Sequence, residues 1–125
     1  MEGLAGAPEL QSSGRCAKSD HRHSPEEVEP LMSRPEALAT IQIDNERLRV
    51  TEWRFAPGTE TGWHVHPSDY VVVPMTTGAL VLETCEGSIT NELTAGVSYT
   101  RPAGSEHNVF NDAQTEFVFV EIELK

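Results

Sequence analysis

The chain has 125 residues and a mass of 13.8 kDa, which is the size of one domain. It carries 20 acidic and 9 basic side chains, for a formal net charge of −11. So few cations leave no patch that could neutralise a run of phosphates, which makes nucleic acid and anionic membrane surfaces poor partners. The charge instead favours small molecules or cations as partners.

No part of the sequence predicts membrane insertion or export. The longest apolar runs, such as residues 71–73 and 117–120, are far below the roughly 20 residues needed to span a bilayer. Residues 1–11 include Glu2 and Glu9 and do not resemble a signal peptide. Cys16 and Cys85 lie in regions of different character and predict no disulfide. We therefore expect a soluble, cytoplasmic protein with two unpaired thiols.

Residues 1–40 differ in composition from the rest of the chain. They are rich in Gly, Pro and Ser and almost devoid of aromatic or β-branched residues. Such a segment buries too little apolar surface to offset the entropy lost on ordering, so we expect a low-order N-terminal tail. Its His21 and His23 have the spacing of a metal-binding pair, but without a scaffold we interpret them as solvated. The folded domain is predicted to span residues 41–125.

From Thr40 onward, short apolar runs alternate with Gly, Pro, Asn and Asp at the spacing typical of an all-β sandwich or barrel. In the last run, Phe117, Phe119, Glu121 and Glu123 share one face because side chains alternate along a strand. The core is small, so a homodimer that buries the outer face is expected. The predicted strands span residues 39–43, 47–56, 62–66, 70–74, 79–84, 88–93, 97–101, 107–110 and 116–124.

Three histidines of the predicted domain carry the strongest chemical signal. His64 and His66 are two positions apart on an extended segment, which directs both imidazoles to one face. His107 follows a turn, and a barrel could bring it beside that pair. Because imidazole is a common ligand of divalent transition metals, the pattern predicts a metal site.

The spacing of these histidines and the surrounding glycines resembles the two motifs of small single-domain cupins of the RmlC-like superfamily. The resemblance implies an antiparallel jelly-roll barrel with a divalent metal held inside it by His64, His66 and His107. Residues 45–74 also resemble a subgroup of small bacterial cupins, some of which are called β-alanine degradation proteins. The matching positions are Gly58, His64, His66 and Gly78 in the first motif, and Gly96, Pro102, Gly104, His107 and Asn111 in the second.

One departure from the cupin pattern is clear. Where the family usually has a metal-binding glutamate, this chain has Tyr70 or Val71, depending on how the gap is counted. Asp69 is one position away, but the pleat is expected to turn it from the histidine face. The expected site therefore has three histidines and open positions. Three neutral imidazoles leave a divalent ion with its full charge, which attracts an anionic ligand.

Tyr70 and Arg101 are the candidate catalytic residues. Tyr70 could donate a proton or pack at the rim, and an inward-facing Arg101 or Arg54 could bind a substrate carboxylate. The favoured function is an enzyme that acts on a small anionic metabolite, as a dioxygenase or as an isomerase or lyase. The metal could be Fe, Zn, Ni or Mn, because imidazole binds all of them. The alternative is a non-catalytic metal- or metabolite-binding module.

Overall fold

The computed structural model describes residues 34–125, and they form nine β-strands. All nine predicted strands are present, most of them within one or two residues of the predicted ends. Within the described range, no helix could cross a membrane. The expectations for residues 1–33, including Cys16, His21 and His23, lie outside the described residues. The strands are β1 (Leu38–Asp44), β2 (Leu48–Phe55), β3 (His64–Val65), β4 (Tyr70–Pro74), β5 (Gly78–Thr84), β6 (Gly87–Leu93), β7 (Tyr99–Arg101), β8 (Glu106–Phe110) and β9 (Phe117–Leu124).

The strands form two antiparallel sheets. The first sheet has the order β1-β2-β9-β4-β7, and the second has the order β3-β8-β5-β6. Neighbours in the sheets are mostly distant in sequence, as in β9 between β2 and β4. This arrangement confirms the predicted all-β jelly-roll fold.

The hydrophobic core combines inward side chains of both sheets. Phe55 of β2 and Leu80 of β5 are almost fully buried, and Phe117 and Phe119 pack into the same cluster from β9. The start of β9 is buried on both faces, because Val118 is also only 7% exposed. Towards its end the inward face of β9 changes from phenylalanine to glutamate, which places carboxylates among otherwise apolar neighbours.

Asn111, the last residue of the second motif, is fully buried just after β8. Its Nδ2 donates hydrogen bonds to the backbone oxygens of Phe55 and Thr115, both at 3.0 Å, and its Oδ1 accepts one from the amide of Ala113. Asn111 therefore joins the end of β2 to the loop that precedes β9. The Phe55 carbonyl is buried, so the Asn111 side chain satisfies there a hydrogen bond that the strands leave unmade.

Strand β1 lies at one edge of the first sheet and is exposed along its whole length. It begins at Leu38, and Arg34, four residues earlier, forms an ion pair with Glu60 at 3.0 Å. Cys85, which follows β5, is disulfide-bonded. The expectation of an unpaired thiol at Cys85 is therefore wrong.

Candidate metal centre

The three domain histidines converge at one point between the sheets. His64 of β3 and His107 of β8 are paired on neighbouring strands of the second sheet, and His66 follows β3 directly. The Nε2 atom of His66 lies 3.0 Å from that of His64 and 3.3 Å from that of His107. The period-two spacing of His64 and His66 thus brings both rings to the same side.

The backbone around His66 fixes its position. Its amide donates a hydrogen bond to the Ser105 oxygen at 2.8 Å, and its own oxygen accepts one from the Gly104 amide at 2.7 Å. Gly104 has a φ of +93°, a conformation that a side chain would disfavour. The turn before β8 is therefore closed against the segment that carries His66, and this holds the two motifs together.

The donor set fits a divalent metal ion. Two nitrogens bound to one ion at about 2.0–2.1 Å are separated by about 2.9–3.4 Å for octahedral or tetrahedral angles, which spans the observed separations. His64 Nδ1 lies 2.8 Å from the Gly62 carbonyl and His66 Nδ1 lies 3.3 Å from Glu121 Oε2. These acceptors favour a proton on each Nδ1, which leaves the Nε2 lone pairs facing each other. Such lone pairs repel unless a cation lies between them.

Burial keeps the three imidazoles neutral. It lowers the pKa of His64, and it lowers the pKa of His66 to about 4, with a smaller effect from the neighbouring His64 and Arg101. The pKa of His107 falls to about 2 for the same reasons. Since only a neutral imidazole has a lone pair to donate, all three side chains are in their ligand form near neutral pH.

Tyr70 packs face to face on His66, with ring centroids 3.9 Å apart and an interplanar angle of 21°. Its hydroxyl is buried beside the Ser105 side chain, without a well-formed hydrogen bond to the described residues. Burial raises the pKa of Tyr70 well above its usual value, so the phenol remains protonated. The structure therefore offers a buried hydroxyl donor beside the histidine cluster.

Arg101 and Glu123 flank Tyr70 on the neighbouring strands of the first sheet. Tyr70 pairs with Arg101 of β7 on one side and with Glu123 of β9 on the other. All three residues line a cavity of about 340 Å³ that also contains the three histidines. The cavity thus brings together Tyr70, Arg101 and the three histidines, and it sets Arg101, Tyr70 and Glu123 side by side on neighbouring strands.

Arg54, the other candidate arginine, does not reach the cavity. It lies on the outer face of β2, where its guanidinium pairs with Glu116 at 3.1 Å and with Glu52 at 3.5 Å. The arginine of β2 that lines the cavity is Arg49. Side chains alternate along β2, so Arg49 lies on the same face as Trp53 and Phe55, whereas Arg54 lies on the opposite face. The buried aromatic residues identify the inward face, and this is the sequence signal that favours Arg49 over Arg54.

Asp69 is not part of the histidine cluster. Its Oδ1 accepts a hydrogen bond from the Ala103 amide at 2.8 Å, so it stabilises the turn after β7. The pleat turns it away from His64 and His66, as expected from the sequence.

Two carboxylates near the cluster were not predicted as site residues. Glu121 and Glu123 of β9 lie 3.3 and 3.8 Å from His66 Nδ1, on the opposite edge of the ring from the other histidines. Burial, together with the charge of Glu123, raises the pKa of Glu121 to about 7. The sequence does contain a signal for Glu121 and Glu123. They share a strand face with Phe117 and Phe119, and because that face is buried, their carboxylates also point inward.

Comparison with known proteins agrees with this arrangement. A family model for the cupin domain matches residues 51–123. The chain belongs to the cupin family. This cupin is 57% identical over 95 residues to the beta-alanine degradation protein BauB of Pseudomonas aeruginosa, a match that covers 76% of this chain and all of that protein. The resemblance to small cupins of this subgroup is confirmed.

Solved structures show the same fold. A cupin domain from Bordetella pertussis Tohama I is 72% identical with a TM-score of 0.74, and the match covers 75% of this chain and 98% of that one. A protein with a double-stranded β-helix domain from Klebsiella pneumoniae is 25% identical with a TM-score of 0.61, and the match covers 74% and 79% of the two chains. Both likenesses extend over most of each chain, so the cupin fold accounts for most of the described residues.

Proposed function

We propose that this cupin binds one divalent metal ion through His64, His66 and His107 and is an enzyme that acts on a small carboxylate-bearing metabolite. The observation that carries the proposal is the convergence of the three histidine nitrogens in the wall of the cavity. A bound ion would supply either redox chemistry with dioxygen, if it is iron or manganese, or polarisation of a carbonyl group, if it is zinc or nickel.

The residues around the cluster suit an anionic substrate. Arg101 lines the cavity and presents a guanidinium, which pairs with a carboxylate through two parallel hydrogen bonds. Tyr99 supports Arg101, because the guanidinium carbon lies 5.6 Å from the centre of the Tyr99 ring. In this proposal the buried Tyr70 hydroxyl donates a hydrogen bond, or a proton, to an oxygen of the bound molecule, and its lack of a well-formed hydrogen bond within the described residues supports that role. The name of the Pseudomonas aeruginosa relative, a beta-alanine degradation protein, is consistent with a small carboxylate.

Metal analysis tests the ligand assignment. Protein purified without an affinity tag or a chelator should contain about one metal ion per chain, and a His64→Ala/His66→Ala variant should contain none. A His21→Ala/His23→Ala variant is the matched control, since it removes an identically spaced pair from residues 1–33. Equal metal content in all three proteins would contradict the proposal. So would an absence of metal in the wild type after incubation with excess divalent ions.

A non-catalytic binding module is the second candidate. It is favoured by the lack of a carboxylate among the converging ligand atoms, where the cupin motif usually has one. This candidate predicts a tightly held ligand in native mass spectra and no turnover of carboxylates, aldehydes or thiols. Turnover that depends on the bound metal and is lost with the His64→Ala/His66→Ala variant would decide for the enzyme, with oxygen uptake distinguishing the redox reactions.

We further propose that the protein is a homodimer. Strand β1 exposes Leu38, Ile41 and Ile43 at 59, 56 and 47% of their surface, and a second copy would shield such side chains from water. Light scattering should give twice the chain mass of 13.8 kDa. A mass equal to one chain would contradict this part of the proposal.

A further inference from the structure

The carboxylate of Glu121 lies between Trp53 and His66. Its Oε1 accepts a hydrogen bond from Trp53 Nε1 at 2.8 Å, and its Oε2 lies 3.3 Å from His66 Nδ1. The Glu121 side chain is only 9% exposed, and Oε2 has no hydrogen-bond partner among the described residues. One oxygen is therefore fixed by the indole, and the other is directed at the imidazole.

The two edges of the His66 ring have different surroundings. Its Nε2 faces His64 and His107, whereas its Nδ1 faces the carboxylate. The Nδ1 of His64 has a neutral neighbour instead, the Gly62 carbonyl at 2.8 Å. His66 is thus set apart from His64 by an anionic group behind the ring. A carboxylate behind a metal-binding histidine fixes its tautomer and orientation and strengthens its bond to the ion.

We infer that Glu121 is a positioning residue for the metal centre: its carboxylate behind the ring favours the His66 tautomer with the proton on Nδ1, which keeps Nε2 free as a ligand, and it is itself held by Trp53. The inference rests on the proposed function, since it concerns the same ion. The Glu121 charge also offsets part of the positive charge that a divalent ion brings to three neutral imidazoles. This chain therefore has a carboxylate at the metal centre, but it acts through His66 rather than from the usual ligand position.

Glu123 is the matched control for this role. It lies on the same strand face, but its carboxylate is 3.8 Å from His66 Nδ1 and its side chain is 21% exposed. A longer distance and greater access to water weaken its interaction with the imidazole. Substitution of Glu123 therefore changes the charge near the cluster without removing the buried contact.

Zinc affinity measured by competition with a chromophoric chelator tests the inference. Glu121→Gln should bind zinc about 10–100-fold more weakly than the wild type, the loss typical for a group behind a ligand. Trp53→Phe should show a smaller loss, because Glu121 remains but is less well held. Glu123→Gln should change the affinity about fivefold or less, as for a solvent-accessible charge.

A second readout separates positioning from a merely structural role. In long-range 1H–15N spectra of the zinc-loaded protein, the proton of His66 should reside on Nδ1, and its resonance should shift in Glu121→Gln but not in Glu123→Gln. Equal zinc affinities for these two variants would overturn the inference and leave the proposed function standing. Two zinc ions in the wild type and one in Glu121→Gln would also overturn it, because Glu121 would then be a direct ligand. No zinc binding by the wild type would reject the proposed function itself.

Discussion

His64 and His107 face each other across the β3–β8 pair, with ring centroids 4.8 Å apart and ring planes at 83°. Strand β3 comprises only His64–Val65, so one short antiparallel pairing joins the two motifs at the histidine cluster. The edge-to-face arrangement brings the rings close together without stacking them, and it leaves their nitrogens free to converge with His66. The geometry of the centre thus depends on backbone pairing as much as on the ligands themselves.

Removal of His107 should weaken metal binding more than substitution of a residue, such as Glu121, that contacts a proposed ligand and not the ion itself. A His107→Ala variant retains two converging nitrogens, and its zinc affinity should fall by more than the roughly 10–100-fold expected for a residue behind a ligand. Chelator competition measures this loss. Asn91→Ala alters another polar residue of the cavity wall and should leave the affinity nearly unchanged. Similar affinities for these two variants would argue against His107 as a ligand.

Anion binding should depend on Arg101 and not on Arg54. Hydrogen bonds to charged groups contribute about 1.5–3 kcal/mol, so Arg101→Gln should weaken acetate binding to the zinc-loaded protein about 10–100-fold. Arg101→Lys keeps the charge but loses the paired donors, and it should be intermediate. Arg54→Gln removes an outer-face arginine and should have no effect. Acetate titrations followed by NMR would measure the three affinities, and a loss in Arg54→Gln equal to that in Arg101→Gln would refute the assignment.

Stability of the metal-free protein should fall on mild acidification. In the folded state the pKa of His66 is about 4 and that of His107 about 2, below the ordinary value of 6.5, so the unfolded chain binds more protons between these values. Glu121 has the opposite effect. Its pKa is about 7 in the folded state and 4.5 ordinarily, so between these values the folded state binds more protons than the unfolded chain. Two histidines outweigh one carboxylate, and the free energy of unfolding should fall by about 1.4 kcal/mol per pH unit below about pH 6.

Urea unfolding in the presence of EDTA, between about pH 7 and pH 5, measures this dependence. The His66→Asn/His107→Asn variant should lose most of this dependence, because the lowered pKa of His64 then remains as the opponent of Glu121. A wild-type stability that rises as the pH falls would contradict the prediction.

Asn111 should contribute to stability rather than to metal binding. Asn111→Ala leaves the buried Phe55 carbonyl without its partner, at about 1–3 kcal/mol, and removes two part-buried hydrogen bonds to Thr115 and Ala113 at about 0.5–1.5 kcal/mol each, so a total of about 2–6 kcal/mol is expected in urea unfolding. Asn45→Ala removes comparable side-chain contacts to two amides in an exposed turn and should cost only about 1 kcal/mol. Equal losses in the two variants would show that burial of Asn111 is not the cause.

Most of the fold could be predicted from local patterns. Alternation of apolar residues, with Gly, Pro, Asn and Asp between the runs, was enough for all nine strands, and the spacing of His64 and His66 was enough to place both on one face. The ends of β3 were less predictable, since only His64–Val65 pairs with β8 and its length depends on a partner distant in sequence. Pairing between remote segments leaves no local signature.

The site was predictable only in part for the same reason. Alternation shows which residues share a face but not which face turns inward at each point. Arg54 was thus weighed as an inward arginine although it faces out, and Glu121 was seen to share a face with Phe119 without being placed beside His66. The contact between β9 and the histidines arises from the stacking of two sheets, which is a tertiary property.

The span of sequence between His66 and His107 also bears on how the protein folds. These ligands are 41 positions apart, and they meet only when the turn before β8 has closed onto the segment after β3. Closing so long a loop reduces the conformational entropy of the chain before the stabilising contacts form. The three histidines therefore come together late in folding, after most of the barrel. An unfolded chain offers an ion only two local pairs, His21 with His23 and His64 with His66, and the isolated His107. A metal ion would therefore act by mass action on the finished barrel, slowing its unfolding more than it speeds its formation.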